Sequence, residues 1–400
     1  VINYAISKTV GTGQKIVIKS GTYELTQALF SGLTGDINDI CIEGEGIGTI
    51  LKIANNTDIS IFSLNTGSRI SGVIIRNMQL HGNKANNSYS SLSAQNGIYG
   101  YNLHKCLFEN LYVHDFVYCG IFVRETSWPE EGITISRCII ESCDGVIGSS
   151  GITFYTRAEY NRVIGCYLYD NKKGITIYGG NNIISACTLM GNDTGILVLP
   201  DDNPGKTIIN GCNINHNGYG VLLDDVDKIA VTGCQILANN YHGVFLKGAY
   251  DCVITGNVIG ANNQADSTYD EIYIVSDANY PTNNIIAYNY IKPYSAIKAQ
   301  YAIYEADANC KSIIVNNNLD SGSLGVIFKQ GANTIIRNNI GYVTENSGTA
   351  TFSGDGTTTT FNIPHGLVDT PTTYYVEAAS ADAAGDKHVT ADATNLTVTF

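Results

Sequence analysis

Two neighbouring stretches of the sequence end in clusters of carboxylate side chains. Asp201 and Asp202 follow the apolar run GILVL, and Asp224 and Asp225 end the similar run GVLLDD. Hydrolysis of a glycosidic bond needs two carboxyl groups about 5 to 10 Å apart, one of them as a proton donor. These residues therefore predict a catalytic pair, if the fold brings the two runs side by side. A solvated acidic corner and a Ca²⁺ site of clustered oxygens are the alternatives.

A repeat positions these carboxylates. Short strands of the form Gly-Ile/Val-x-aliphatic recur about 23 residues apart in the regular part of the chain. They begin at Gly97, Gly120, Gly151, Gly174, Gly195, Gly220, Gly243 and Gly325, with weaker copies at Glu271 and Ala302. Units this short cannot each bury a core, so neighbouring units must stack and share one. We expect a parallel β-helix whose coils stack at about 4.8 Å.

A second motif, seen in ISRCII, VIGCYL and VITGNVI, predicts an inward-facing column. The column is Met78, Leu111, Cys138, Cys166, Cys187, Cys212, Cys234, Asn257, Asn289, Asn317 and Asn338. A buried free Cys behaves as a small apolar residue, and stacked Asn side chains hydrogen-bond along the stack. The cysteines of the column are therefore predicted to be reduced packing residues rather than disulfides or metal ligands.

Alternation along each strand predicts which side chains face outward. The first outward column is Tyr99, Phe122, Thr153, Thr176, Leu197, Leu222, Phe245, Tyr273, Tyr304 and Ile327. The second is Tyr101, Arg124, Tyr155, Tyr178, Leu199, Asp224, Lys247, Val275, Ala306 and Lys329. Aromatic rings cost free energy when left wet, so a row of them indicates a surface for sugar rings, unless loops cover it.

The predicted site combines these columns with the acidic corner. The predicted substrate-binding residues are Tyr99, Tyr101, Phe122, Arg124, Trp128, Tyr155, Tyr178, His242 and Phe245. The predicted catalytic residues are Asp201, Asp202, Asp224, Asp225 and Lys247. A different chemistry, β-elimination or epimerisation of a uronate, needs a base and a cation, for which Arg124, Tyr155, Tyr178 and Lys247 are the candidates.

The remaining polar residues form no recognisable metal motif. His81, His104, His114 and His216 fall on scattered corners without metal-ligand spacing, so no metal site is predicted. Ca²⁺ at the acidic corner is the one cofactor considered, and none is required. The sequence contains no phosphate-binding loop and no nucleophile elbow.

The sequence resembles the right-handed parallel β-helix, pectate-lyase-like superfamily over about residues 1 to 343. The repeats carry the resemblance, together with KIVIKSGTYELTQAL, ICIEGEGIGTIL and LHGNKANN near the amino terminus. It implies the fold but not the activity, because the superfamily includes lyases, hydrolases, epimerases, tailspikes and adhesins.

One hydrolase family in that superfamily, the polygalacturonases, tests the activity more closely. Its Asn-Thr-Asp, Asp-Asp and Gly-His-Gly motifs correspond here to NDTG at 192–195, NGYG at 217–220 and YHG at 241–243. Only His242 matches cleanly. The polygalacturonase machinery is therefore not intact, and the Asp-Pro-His run of alginate epimerases is absent as well.

Composition limits the partners. The net charge of -13 argues against nucleic acid or an anionic membrane surface as the main partner, because both need clustered Lys and Arg. No run of about 18 apolar residues predicts a membrane span. Residues 349–400 are Thr-rich and lack the repeat, which predicts a separate small module. Its abrupt end predicts that the native chain continues.

Together with the resemblance, the sequence predicts an all-β protein. A right-handed parallel β-helix of about eleven coils is expected over residues 1–345, followed by a small β-sandwich-like module over 349–400. The expected function is that of an extracellular protein, secreted or on a cell or virion surface, which binds a polysaccharide or oligosaccharide and hydrolyses it. A uronate lyase or C5-epimerase and a non-catalytic adhesin or tailspike-like protein are the alternatives. The expected state is a monomer or a homotrimer.

Overall fold

The computed structural model describes residues 1–125, 132–201, 205–265, 268–292 and 299–400. Within these ranges, eleven short strands form one parallel sheet, which we call the front sheet, each strand pairing with its counterpart in the next coil. They are Phe62–Leu64, Ile98–Tyr101, Ile121–Arg124, Ile152–Tyr155, Lys173–Ile177, Thr194–Val198, Tyr219–Asp224, Val244–Lys247, Ile272–Val275, Ile303–Glu305 and Ile327–Phe328. The predicted stacking of the repeats is therefore confirmed.

The other strands of the coils form a second parallel network, with two strands from most coils. In the described part of the chain they are Lys15–Ile18, Gly21–Leu25, Ile37–Gly44, Thr49–Ile53, Ile70–His81, Leu103–His104, Leu107–His114, Thr134–Ser136, Ile139–Glu141, Arg162–Ile164, Tyr167–Tyr169, Ile183–Ser185, Thr188–Met190, Ile208–Asn210, Asn213–Asn215, Ala230–Thr232, Gln235–Leu237, Val253–Thr255, Val258–Gly260, Thr282–Ala287, Tyr290–Ile291, Lys311–Val315, Asn318–Leu319 and Ile335–Arg337. A short helix, Ile2–Thr9, precedes the first coil and buries Ile6. Two single-turn 3₁₀ helices lie at Lys84–Asn86 and Ala381–Ala383. No helix among the described residues is long and apolar enough to cross a membrane.

The recurring glycine at the start of each front strand is explained by close stacking of the coils. A Cβ on Gly220 would lie 2.4 Å from the carbonyl oxygen of Gly243 and 2.8 Å from Cγ2 of Ile236. Both distances are well inside ordinary contact, so a larger residue would push neighbouring coils apart. This is why the repeat can be read from its glycines.

The predicted Cys and Asn columns lie in the interior. Cys138, Cys166, Cys187, Cys212 and Cys234 are buried free thiols. Beyond them the column continues as hydrogen-bonded amides: Asn257 Nδ2 donates to Asn289 Oδ1, Asn289 Nδ2 to Asn317 Oδ1 and Asn317 Nδ2 to Asn339 Oδ1, each at 3.0 Å.

The last member of this column is Asn339, so the prediction of Asn338 was wrong by one residue. Asn338 is exposed and has a φ of 53°, the left-handed conformation of the turn residue that precedes the column in other coils. Two consecutive Asn residues in IIRNNI made both alignments equally plausible in sequence, since Asn suits the turn as well as the column.

A second column of amides runs along the start of the front strands. It consists of Asn171, Asn192, Asn217, Asn239 and Asn262, all buried. Both the main-chain N and Nδ2 of Asn217 donate to Asn239 Oδ1, at 2.9 and 3.0 Å. The column ends at Glu271, whose Oε2 accepts from Asn262 Nδ2 at 2.5 Å. Each side chain thereby satisfies backbone donors of the neighbouring coil.

The carboxy-terminal segment is β-structured, as expected, but has one sheet rather than two packed ones. Thr360–Pro364, Asn395–Thr399 and His388–Ala391 form a three-stranded antiparallel sheet with the 395–399 strand in the middle. Most of its residues are exposed. A sandwich needs a second apolar layer, and this segment does not bury enough apolar side chains to form one.

Candidate functional site

The front sheet presents the two predicted outward columns. Phe122 pairs with Tyr99 and Thr153, and Phe245 pairs with Tyr273. The last coil differs from the prediction, because Ile303 pairs with Ile327 and Tyr304 with Phe328. Ile327 is therefore buried and Phe328 takes the outward place. A shift of one residue reverses the two faces of a strand, and the last repeat is the most irregular one.

Two predicted substrate-binding rings lie inside the protein instead. Phe122 is 0% and Tyr99 is 4% exposed, and with Tyr118 and Cys119 they form a small second core on the outer side of the front sheet. The cover includes Tyr118 and Cys119 from the turn just before the strand Ile121–Arg124, with Leu92 and Val146 packed against them. This corrects the assignment of Tyr99 and Phe122, since a ring without exposed surface cannot contact a polymer.

The amino-terminal part of the site keeps a second group of rings. Tyr101, Arg124, Tyr155 and Tyr178 are half-buried, and the rings of Tyr155 and Tyr178 have their centroids 4.9 Å apart. Burial, followed by neighbouring Tyr155, raises the pKa of Tyr178. The predicted cap Trp128 lies outside the described residues.

Asp201 belongs to this amino-terminal group rather than to the other predicted carboxylates. Its Oδ2 accepts a hydrogen bond from the main-chain N of Arg157 at 3.0 Å. Arg157 follows the strand Ile152–Tyr155, on the amino-terminal side of Asp201 and away from Asp224. Asp202, which is next to Asp201 in the sequence and was also predicted to be catalytic, lies outside the described residues.

The carboxy-terminal half of the front sheet carries a continuous row of half-buried rings, which we call the aromatic ladder. Its members are Tyr219, Tyr241, Phe245, Tyr269, Tyr273, Tyr301, Tyr304 and Phe328. Contacting rings have their centroids 4.6 to 5.9 Å apart. The outward column predicted Phe245, Tyr273 and Tyr304. Rings from the turns that precede the strands, such as Tyr241 and Tyr269, had no periodic signal in the sequence.

His242 and Asp270 lie beneath the ladder. The His242 ring stacks on Tyr273 with centroids 4.5 Å apart, and it is 6% exposed. Burial lowers the pKa of His242 to about 4 and raises the pKa of Asp270 to about 7. His242 is therefore a neutral ring that supports the ladder from below, which corrects its assignment as a substrate contact. Asp270 was missed because nothing in the sequence marks it as buried.

The predicted acidic corner is present, with a changed membership. Asp224 is in register with Lys247 of the next coil, as predicted. The Lys247 ammonium lies 3.1 Å from Asp224 Oδ1 and 2.5 Å from Asp277 Oδ2. Asp225 Oδ1 accepts from the main-chain N of Asn279 at 2.8 Å. Asp277 was missed because it lies in a turn outside both columns.

The electrostatics of this cluster centre on the lysine. Hydrogen bonds to Asp277 and then Asp224 raise the pKa of Lys247 against the opposing effect of burial. Carboxylate oxygens of Asp224, Asp225 and Asp277 all lie within 4.8 Å of one another, close enough to share a metal ion. The ammonium already contacts two of these three carboxylates, so the protein itself supplies a cation where Ca²⁺ was considered.

A second group of close metal-ligating atoms lies on the other network of strands. His81 pairs with His114 of the next coil, and one ligand atom each of His81, His114 and Asp115 lie within 4.8 Å of one another. The sequence predicted no metal site because these histidines are one whole coil apart. At least one nitrogen of each ring is already in a hydrogen bond: His81 Nδ1 accepts from Asn83 N at 2.8 Å, and His114 Nδ1 contacts Asp115 Oδ2 at 2.7 Å.

Comparisons with protein families and curated sequences match only parts of the chain. A family model described as "Periplasmic copper-binding protein (NosD)" matches residues 119–292, and one described as "Right handed beta helix region" matches residues 219–369. No curated protein sequence matches the chain.

Solved structures match over most of the chain. The mannuronan C-5 epimerase AlgE6 A-module of Azotobacter vinelandii is similar with a TM-score of 0.69 and 18% identity, covering 85% of this chain and 93% of its own. The AlgE4 A-module of the same organism has a TM-score of 0.65 and 19% identity, covering 86% and 95%. A tailspike protein of E. coli bacteriophage HK620, in complex with a pentasaccharide, has a TM-score of 0.58 and 13% identity, covering 83% and 62%. With its parallel strand stacks, the chain is a right-handed parallel β-helix protein.

Proposed function

We propose that the protein binds a polysaccharide along the aromatic ladder. The observation that carries the proposal is the continuous row of half-buried rings over five coils, from the strand Tyr219–Asp224 to the strand Ile327–Phe328. At the ordinary strand spacing the row is about 20 Å long, enough for several sugar units. Exposed contiguous rings mark interaction surfaces, and Tyr offers both an apolar face and a hydroxyl for a sugar.

The solved structures support this class of ligand. The similar proteins include mannuronan C-5 epimerases and a tailspike in complex with a pentasaccharide, so the names of both kinds of neighbour refer to carbohydrates. The tailspike and the "periplasmic" family description also support a location outside the cytoplasm.

We further propose that Asp224 and Asp277 act on a glycosidic bond. Their oxygens lie within 4.8 Å of each other, beside the strand ends of the ladder. Carboxyl groups about 5 Å apart are typical of glycosidases that retain configuration, in which one carboxylate attacks and the other donates and accepts the proton. Lys247, between them, would hold both side chains in place. This pair replaces the one expected among Asp201, Asp202, Asp224 and Asp225.

Uronate elimination or epimerisation is the second candidate. Tyr155 and Tyr178 with Arg124 offer a phenol pair and a cation, as that chemistry requires. A tyrosine base must lose its proton, however, and the raised pKa of Tyr178 opposes this. This makes Tyr178 a weaker candidate for the base, and hydrolysis remains the first proposal.

Copper, named in one family description, finds no cysteine site among the described residues of the matched segment. Burial raises the pKa of Cys119 and of Cys252 to about 12, so both remain thiols, whereas copper is bound by thiolates. In the described ranges, no cysteine belongs to a group of three or more close metal-ligating atoms. No step of the proposed function uses copper.

Affinity electrophoresis against a panel of polysaccharides tests the binding. Tyr273→Ala and Tyr304→Ala are expected to weaken retention about tenfold each, since a stacked ring contributes about 1 kcal/mol beyond its buried area. Tyr288→Ala is the control, because Tyr288 is 68% exposed and belongs to no ladder pair. If Tyr273→Ala and Tyr304→Ala are retained as strongly as the control Tyr288→Ala, the ladder is not the binding surface.

Product analysis tests the cleavage. New reducing ends without ultraviolet absorbance mark a hydrolase, and absorbance of an unsaturated uronide marks a lyase. Asp224→Asn and Asp277→Asn are each expected to lower the rate at least 100-fold, as expected for loss of one member of a carboxyl pair. Full activity in either variant contradicts the assignment of the pair, and binding without any product favours the adhesin alternative.

A further inference from the structure

The ladder is bordered by an anionic edge where its strands end. We define this strand-end edge as residues 224–225, 247–248, 275–277, 305–307 and 328–330, all described by the structure. Its solvent-reachable charged side chains are the carboxylates Asp224, Asp225, Asp277 and Asp307 and the cations Lys247 and Lys329. Carboxylates therefore outnumber cations on this edge.

The one cation within the cluster is already neutralised. Lys247 contacts Asp224 at 3.1 Å and Asp277 at 2.5 Å. Asp307 keeps its charge, because the hydrogen bond that the main-chain N of Asn309 donates to its Oδ1 at 2.7 Å lowers its pKa. Glu305 lies below the edge, fully buried, and burial raises the pKa of its carboxyl. Lys329, exposed at the last coil, is the remaining positive charge on this edge.

The opposite edge of the ladder offers no cation among the residues that the structure describes there. These are 217–219, 239–243, 268–271 and 299–302, and they include neither Lys nor Arg. His242 lies in this edge, but its pKa of about 4 leaves it neutral. The rings are therefore flanked by carboxylates on one side, and on the other by described residues without Lys or Arg, among which the buried Asp270 has its pKa raised to about 7.

We infer that the ladder selects uncharged polysaccharides over uronate polymers; this rests on the proposed function and names its substrate class. A uronate polymer carries a carboxylate on each sugar and requires cations at a similar spacing, and the residues described on the two edges supply no such row of cations. An uncharged polymer needs ring surfaces and acceptors for its hydroxyl groups. Carboxylates are strong acceptors for O–H donors, so the same edge that repels a uronate serves a neutral sugar.

Affinity electrophoresis at low and high salt tests the selection. Dextran, mannan and xylan serve as neutral probes, and alginate and polygalacturonate as anionic ones. The expected result is retention by at least one neutral polymer, little changed by salt, and weaker retention by both anionic ones. Stronger retention by alginate or polygalacturonate than by every neutral polymer overturns the inference.

A charge-reversal variant sharpens the test. Asp307→Lys is expected to raise alginate retention about tenfold at low salt, because two unit charges are changed beside the polymer. Asp36→Lys is the matched control, since it makes the same change in net charge at an exposed position before the ladder. Equal gains in both variants would show a nonspecific effect of net charge and overturn the edge as the selecting element.

Different results would contradict the inference and the proposed function. Retention that survives both Tyr273→Ala and Tyr304→Ala, or no retention by any of the five polymers, contradicts binding along the ladder and removes the basis of the inference with it. Ladder-dependent retention of the anionic polymers alone contradicts only the selection.

Discussion

Aromatic residues of one outward column have different roles on the two halves of the front sheet. Phe122 is fully buried beside Tyr118 and Cys119, whereas Tyr273 is half-buried and keeps part of its ring in solvent. Both side chains point outward from the sheet in the same column. What separates them is the turn before each strand, which covers the first ring and leaves the second accessible. The covered rings stabilise the fold, and the accessible ones are available to a ligand.

Phe122→Ala is therefore expected to lower the free energy of unfolding by about 3 to 5 kcal/mol, the usual cost of removing a buried aromatic ring. Polysaccharide retention of the folded variant should stay at the level of the natural protein. Thermal and denaturant unfolding measure the first effect, and affinity electrophoresis measures the second. If the variant is as stable as the natural protein but no longer retains the polysaccharide, Phe122 belongs to the binding surface after all.

Glu271 makes the stability depend on pH. Burial raises its pKa to about 8 from the ordinary 4.5, and its Oε1 has no hydrogen-bond partner. The folded state thus holds a proton that the unfolded state releases above pH 4.5. The resulting stabilisation is complete below that pH and is lost as the pH rises through about 8.

Glu271→Gln should remove this dependence, because the amide stays neutral and can still accept from Asn262. We expect the variant to be more stable than the natural protein by about 4 kcal/mol at pH 8 to 9, with the difference vanishing near pH 4. Unfolding by denaturant across the pH range measures it. Glu345→Gln, at an exposed position, should leave the curve unchanged. A constant difference between Glu271→Gln and the natural protein at all pH values would show that packing, not ionisation, is responsible.

Among the elements, the front strands were predictable and the turns were not. The strand columns follow from glycine spacing and alternation, which the sequence displays directly, so Asp224 and Lys247 were placed side by side correctly. Asp277, Tyr241 and Tyr269 lie in turns of varying length, where position in the sequence does not give position in space. His81 and His114 illustrate the same point, since a distance of one coil brings them together but matches no local metal motif.

The buried amide columns tie the coils together. Asn239 Oδ1 accepts from N and Nδ2 of Asn217, and its Nδ2 donates to Asn262 Oδ1 at 2.7 Å. Asn239→Ala would leave the buried main-chain N of Asn217 without its acceptor, at about 1 to 3 kcal/mol. The Nδ2 of Asn217 would keep Leu189 O and Asn215 O as acceptors. We expect a loss of about 2 kcal/mol in unfolding free energy.

The adjacent residue provides the control for this substitution. Asn240 is exposed, so Asn240→Ala should change the unfolding free energy by less than about 0.5 kcal/mol. Denaturant unfolding of both variants makes the comparison. Similar losses in the two would show that the local backbone, rather than the column, is sensitive.

On the scale of the whole molecule, coils contact mainly their neighbours along the stack. Each front strand pairs only with the strands before and after it in the described ranges. Stability is then a sum over neighbouring coils, and a ligand that spans several coils adds contacts that link distant parts of the chain. The ladder spans five coils, so a bound polymer is expected to stabilise them together.

The carboxy-terminal segment makes few contacts with the stack of coils. The three strands of residues 360–399 pair only with one another. Few hydrogen bonds join the segment to the last coils; examples are Val368 N to Val343 O at 3.0 Å and Asn346 Nδ2 to His365 O at 2.8 Å. Ile335 and Ile340 on the last coil are already 45% and 67% exposed. Removal of the segment would therefore uncover little additional apolar surface.

A chain of residues 1–345 is accordingly expected to fold as a β-helix on its own and to retain the ladder. Its far-ultraviolet circular dichroism should show the same β content per coil. Its midpoint of thermal unfolding should lie within about 2 °C of the full chain, equivalent to about 1 kcal/mol for a body of this size. Polysaccharide retention should be unchanged, because the ladder ends at Phe328. An aggregated or unfolded product would show that the segment is part of the β-helix's stability rather than a separate module, since it would then cover the last coil in solution.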